Sequence, residues 1–414
     1  MEKFVLKNGL TLLVEPMPYL RSASIGVWVK AGSMLEKPEE NGLSHFMEHM
    51  AFKGTGKRSA RQIAEEMDAA GGHLNASTSK LCTNYYAKVI DEDLPLAADI
   101  LADIVCHPAL DEKEMEKERG VILEEISMVE DSPEEVVYDL LAEAVFGRQA
   151  LGQTILGPAE KIAAYTPNDL RAFRSRHYGP GNAVVAIAGN VTPDDAHHLM
   201  EEKFGDWEGA AGQQFPMSTA IDEPRKLFRD KDSEQVHLCI SYRGTAMGSQ
   251  EIYPAAVLNS VLGGGMSSRL FQKIREEMGM AYSVYSGPSK YPHCGEFTIY
   301  AATSPKHVAP VLEQVDKEIQ QLLQNGLTEK EFSQAKAQLK GSFILGLESA
   351  YNRMSAMGHN QMLLGRVIPP EDTIAAIQRV SMSDVRETAQ RILTGPRAYA
   401  VVGKHAEKYM KYMK

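Results

Sequence analysis

The chain echoes itself. Ile162-Ala163-Ala164 followed by Asn168-Asp169-Leu170 returns as Ile374-Ala375-Ala376 followed by Ser383-Asp384-Val385. Each passage runs through a helical pattern into a Gly-Pro and then a short strand, Ala183-Val184-Val185 in one place and Ala398-Tyr399-Ala400-Val401 in the other. Upstream, Leu110-Asp111-Glu112-Lys113-Glu114 resembles Leu327-Thr328-Glu329-Lys330-Glu331, and each follows a helix of similar length. A chain of 414 residues is too long for one ordinary core. The repetition therefore predicts two copies of one unit, each with its own core. Residues 3–15 read as a hairpin, and strands are predicted over 22–30, 73–80, 83–90, 182–188, 235–243, 281–287 and 295–302, with helical patterns between them. The predicted class is α+β: two homologous α/β-sandwich domains, each a mainly antiparallel sheet packed with helices. Residues 1–208 form the first domain and 225–414 the second. Between them, 209–224 is rich in Gly, Gln and Pro and reads as a linker.

The two copies differ at one telling place. The first carries Gly42-Leu43-Ser44-His45-Phe46-Met47-Glu48-His49-Met50, a helical pattern. On a helix, His45 and His49 lie one turn apart on one face with Glu48 beside them. Two imidazoles at that spacing can hold one divalent ion, and a neighbouring carboxylate can act as a base on water there. The same pair can still be a surface or capping pair, so the pattern alone is a hypothesis. His-x-x-Glu-His is the inverse of the commoner zinc-protease order and a metallopeptidase pattern in its own right. The second copy has a glycine loop instead, Gly263-Gly264-Gly265-Met266-Ser267-Ser268-Arg269, which lacks the Gly-Lys-Ser/Thr of a phosphate loop.

A catalytic zinc takes three protein ligands and keeps one position open. The third must come from elsewhere, and the densest carboxylate helix runs from Glu112 to Glu130. Glu118 and Glu125, seven apart, share one face of it, and the apolar flank Val121-Ile122-Leu123 with Ile126 points to partial burial, where a carboxylate needs a partner. Pattern alone leaves Glu118, Glu124 and Glu125 open.

Composition excludes some classes. A net charge of -11 argues against nucleic acid as a partner, which would require a basic face. No apolar run is long enough to span a membrane. The four cysteines, Cys82, Cys106, Cys239 and Cys294, are dispersed and read as reduced thiols. With no leader pattern at the N-terminus, they suggest a cytoplasmic protein.

With these residues assembled, the stretch Gly42 to Thr55 resembles the active helix of the pitrilysin family of inverted-motif zinc peptidases. Within it, the chain is most similar to short bacterial processing-type proteases related to the mitochondrial processing peptidase beta subunit. The resemblance covers nearly the whole chain, including its two-copy layout. It implies one zinc ion per chain, with His45, His49 and Glu125 as ligands, Glu48 as catalytic base and Glu118 as the supporting glutamate. Gly71-Gly72-His73-Leu74-Asn75-Ala76-Ser77-Thr78 resembles the family's substrate-binding edge strand, which places peptide contacts at Asn75 and Ala76. Arg269 to Val284 is similar to the segment in which an arginine and a tyrosine contact substrate, here Arg275 and Tyr282. Four homologous units enclose a chamber in this family, so the resemblance also implies a dimer, homodimeric or with a distinct partner chain. The expected activity is endopeptidase cleavage of oligopeptides or unfolded leader segments held as an added strand in that chamber. The alternative is a non-catalytic scaffold or partner subunit of the same fold.

Overall fold

A computed structural model describes residues 1–220, 223 and 225–413. Residues 221, 222 and 224 of the expected linker, and residue 414 of the expected second domain, lie outside the described residues. The chain divides into two compact units, and neither is continuous in sequence. The first comprises Met1–Ile126, Thr154–Pro216 and Ile344–Ile368, and the second Ser127–Gln153, Met217–Phe343 and Pro369–Lys414.

In the first unit, β1 (Glu2–Val5) and β2 (Thr11–Pro16) form the expected antiparallel hairpin. Next come β3 (Ser22–Val29), α1 (Leu43–Ala51), α2 (Ala60–Ala69), β4 (His73–Thr78) and β5 (Thr83–Ile90). They are followed by α3 (Leu94–Cys106), α4 (Glu112–Asp131), α6 (Ala159–Ala164), α7 (Pro167–His177), β6 (Ala183–Gly189) and α8 (Pro193–Phe204). The sheet order is β1-β2-β6-β3-β5-β4, so β4 is an edge strand. Local signals set the helix starts: Ser59 and Gln62 form a capping box, as do Thr166 and Asp169, and Pro167 and Pro193 occupy first helical turns.

The central strand β3 lacks the alternation of a half-exposed strand because both its faces are covered. Ile25, Val27 and Val29 join one core with Leu12, Phe46, Leu101 and Phe204. Trp28 faces the other way, into a second core with Leu13, Ala186, Met354 and Met357. The methionines come from α12 (Ala350–Leu364), a helix from the C-terminal half of the sequence. It approaches closely because Gly358 has no side chain: a Cβ there would lie 2.3 Å from Trp28 Cε3.

The second unit holds β7 (Lys226–Asp230), β8 (Val236–Arg243), β9 (Ala281–Lys290), β10 (Gly295–Thr303) and β11 (Arg397–Gly403), in the order β7-β11-β8-β10-β9. Its helices include α5 (Pro133–Phe146), α9 (Ile252–Leu262), α10 (Val308–Asn325), α11 (Glu329–Gly346), α13 (Pro370–Arg379) and α14 (Met382–Leu393). Here α5, from the N-terminal half, packs on β11 and β8. The predicted helix near 267–278 is π-helical over Phe271–Glu277.

The echo in sequence is a duplication in topology. β2-β6-β3-β5-β4 and β7-β11-β8-β10-β9 correspond strand for strand, with one parallel pair (β2 with β6, β7 with β11) and antiparallel pairing elsewhere. Strand β7 completes the correspondence. Periodicity did not mark it, because Lys226-Leu227-Phe228-Arg229-Asp230 is a mostly exposed edge segment with no apolar alternation. Helices α5 and α12 occupy equivalent places in the two copies, and each belongs to the unit built mainly from the other half of the chain.

Candidate metal centre

Gly42 caps the start of helix α1, and its φ of +102° is the left-handed region that favours glycine. A buried carboxylate anchors that start. Glu36 accepts from Gly42 N at 2.9 Å, Ser44 N at 2.6 Å and Asn41 Nδ2 at 3.1 Å. These bonds use donors that the first helical turn otherwise leaves unsatisfied. Burial raises the Glu36 carboxyl above its usual range, against those same bonds. Leu43, Phe46, Met47 and Met50 pin α1 into the core.

His45 and His49 then stand side by side, with Nε2 atoms 3.2 Å apart. Glu125, from α4, brings Oε2 to 3.6 Å from His45 Nε2 and 3.5 Å from His49 Nε2. A tetrahedral ion with bonds of about 2.0–2.2 Å separates its ligand atoms by roughly 3.4 Å. The three donors thus form a triangle of the size one such ion requires, and among the described residues no other such group of His, Cys, Asp and Glu occurs. Their protonation suits a cation as well. His49 Nδ1 faces Glu118 Oε1 at 2.8 Å as a donor, which turns Nε2 toward the triangle. Burial, and then the neighbouring His49, push His45 down to about 3, so its ring is neutral.

Glu118 is nearly inaccessible and is bound twice, by His49 at Oε1 and by Lys53 Nζ at 2.6 Å from Oε2. Burial is the largest influence on its carboxyl and acts upward. His49 and Lys53 together outweigh it and hold the group below its usual range. Glu48 sits beside the triangle, and burial raises its carboxyl above the usual range even though Thr78 pulls the other way. Such a shift moves a carboxylate toward the basicity that a general base needs near neutrality.

The residues predicted from sequence fall into three groups. His45, Glu48, His49, Glu118 and Glu125 converge in the first unit. Glu124, the alternative left open by pattern, is not in the triangle. Asn75 and Ala76 lie on β4, opposite Tyr86 and Tyr85 of β5, and Asn75 Oδ1 accepts from Ala76 N at 2.8 Å. Arg275 and Tyr282 belong to the second unit and contact each other. Arg275 Nη1 donates to the Tyr282 carbonyl at 2.9 Å, and its guanidinium lies 4.8 Å from the Tyr282 ring centroid. Tyr282 is 73% exposed, and Arg275 lines a cleft of about 420 Å³ with the Gly263–Gly265 loop and Tyr285. Sequence reasoning missed Glu36, Lys53 and Thr78. Each is one polar residue in a segment already singled out or adjoining it, and only a spatial contact distinguishes it from its neighbours.

The four cysteines are free thiols. Among the described residues no helix is long and apolar enough to cross a membrane.

Known proteins resemble this chain over nearly its whole length. The family described as Insulinase (Peptidase family M16) matches residues 11–159, which contain every member of the triangle. Residues 164–339 match the family described as Peptidase M16 inactive domain. An uncharacterized zinc protease of Bacillus subtilis is 42% identical over 405 residues, covering 97% of this chain and 98% of the relative. One from Streptomyces coelicolor is 39% identical, covering 97% and 89%. A solved protease structure from Helicobacter pylori superposes with a TM-score of 0.91 at 22% identity, covering 97% and 99%, which shows the same fold. A solved peptidase M16 inactive domain from Pseudomonas fluorescens gives 0.90 at 20% identity, covering 97% and 98%. Duplicated topology, an inverted His-x-x-Glu-His helix in one copy only, and relatives alike over almost their whole length leave one assignment: the chain belongs to peptidase family M16.

Proposed function

We propose that this protein is a zinc-dependent endopeptidase, with His45, His49 and Glu125 holding one zinc ion and Glu48 serving as base. The observation that carries the reading is the triangle of two imidazole nitrogens and one carboxylate oxygen with edges of 3.2–3.6 Å. Zinc, when bound there, supplies a Lewis acid that polarises water and the scissile carbonyl. Glu48 takes the proton of the attacking water on its carboxylate and later delivers it to the leaving amine. Glu118 orients His49 and fixes its tautomer. The open edge of β4 suits an extended peptide added as a further strand, with Asn75 and Ala76 as its contacts, since main-chain bonding accepts unrelated sequences in one conformation. In that arrangement Asn75 Oδ1 would yield the Ala76 N–H to the peptide. Arg275 and Tyr282 of a second copy stabilise the oxyanion, which makes the working form a dimer.

The test is peptide hydrolysis by purified protein with its metal content measured. Activity that a chelator removes and zinc restores, together with a Glu48→Gln variant that keeps its zinc and cleaves nothing, supports the reading. Wild-type turnover by Glu48→Gln would sink it. Sizing of the active fraction checks the dimer, and mass spectrometry of products from a mixed peptide library identifies the cleavage preference.

A further inference from the structure

We infer that Thr78 is a positioning residue for Glu48, so that the strand expected to seat the peptide also aims the base. This rests on the proposed role of Glu48. Thr78 is the last residue of β4. Its Oγ1 lies 2.5 Å from Glu48 Oε2. One oxygen of Glu48 is thereby held in a fixed place, which sets the direction of the other. Asn75 and Ala76 precede Thr78 on the same short strand, so the registration of a bound peptide and the orientation of the base share one piece of backbone.

Thr78 is itself held. Its Oγ1 is 3.1 Å from Thr83 Oγ1, its register partner on β5. Thr83 is fully buried and donates to the Ala31 carbonyl at 2.8 Å. The single Thr83 proton is therefore committed, and Thr83 Oγ1 remains an acceptor. Thr78 has one hydroxyl proton and two places to send it. With Glu48 ionised, that proton goes to Oε2. Once the other oxygen of Glu48 has taken the proton of the attacking water, Oε2 is the carbonyl oxygen of the neutral acid and still accepts from Thr78. Both stages of the cycle keep the Thr78 hydrogen bond at the same Glu48 oxygen, so the base need not reorient between them. A valine in this place would preserve shape and remove the bond.

The test compares kcat and KM for wild type, Thr78→Val, Thr78→Ala and Thr78→Ser, with zinc content and thermal unfolding measured for each. A base released from its alignment costs on the order of 10- to 100-fold in rate. The expected result is that loss in kcat for the Val and Ala variants, with KM and zinc stoichiometry within about twofold of wild type, and recovery to within about threefold in Thr78→Ser. Wild-type kcat in folded Thr78→Val or Thr78→Ala would overturn the inference. So would a Ser variant as poor as Val, since the methyl packing would then matter and not the hydroxyl. A loss confined to KM would also overturn it, because Thr78 would then act only through the strand. Glu48→Gln in the same assay separates the two claims: if it is inactive while Thr78→Val is normal, only the role of Thr78 fails, and if it turns over normally, the role of Glu48 fails.

Discussion

Replacing Glu118 by glutamine isolates what a carboxylate does behind the proposed metal ligand His49. Glu118 accepts two hydrogen bonds on separate oxygens, from His49 Nδ1 at 2.8 Å and from Lys53 Nζ at 2.6 Å. A glutamine of the same shape has only one acceptor. If its oxygen faces His49, its NH₂ group points at the Lys53 ammonium. If it flips to satisfy Lys53, His49 loses the partner that sets its tautomer. Loss of such a partner costs about 10- to 100-fold in metal affinity, or roughly 1.4–2.7 kcal/mol. Glu118→Gln should therefore weaken zinc binding by at least about tenfold, read by competition with a chromophoric chelator. Removing the competitor should reverse much of this. In Lys53→Met/Glu118→Gln the amide oxygen is free to face His49, and roughly 1 kcal/mol of coupling should appear in the double-mutant cycle. Zinc affinity in Glu118→Gln within twofold of wild type would refute the argument, as would a double variant no better than the single.

Two further predictions concern the fold. Gly358→Ala puts a methyl 2.3 Å from the buried Trp28 ring, which also leaves no room for a Cβ at Gly26. Overpacking costs about 1–3 kcal/mol, and the gain in helix propensity is about 1 kcal/mol, so net destabilisation is expected in urea unfolding. An unchanged or raised midpoint would count against the packing described for α12. In the second unit, Glu331 is pulled down to about 2, first by its bond with Arg269 and against partial burial. Its folded pKa lies below its unfolded value, so the stability it contributes is present above pH 4.5 and is lost as pH falls toward 2. The side chain is 28% exposed, and with screening the contribution is about 1–2 kcal/mol. Metal-free wild type should lose most of that increment between pH 6 and pH 3, and Arg269→Met should lose less. Equal pH dependence in the two proteins would contradict the assignment.

Much of the site was legible in the sequence because its first part is local. His45, Glu48 and His49 share one short helix, and helical periodicity alone puts the two imidazoles on one face. The distant carboxylate was not local. Periodicity placed Glu118 and Glu125 on a common face of α4, but their roles were separable only by resemblance. In the fold they separate by reach: Glu125 extends to both Nε2 atoms, whereas Glu118 lies behind His49 at Nδ1. Lys53 and Thr78 carried no pattern at all, since a single polar residue acquires meaning only from what it touches.

By itself, the sequence determined that the chain is duplicated, that each copy is a sheet with helices, and where most elements begin and end, because repeats, periodicity and capping residues act over a few neighbouring residues. It also showed that only one copy carries the paired histidines. Tertiary structure alone decided that α5 belongs with the second sheet and α12 with the first. An apolar helix face records that it must be covered, and not which sheet will cover it. For the same reason only the folded chain could bring a carboxylate from α4 to the imidazoles of α1 and a hydroxyl from β4 to their neighbouring base. Those contacts are made between segments far apart in sequence, and their geometry is set by packing.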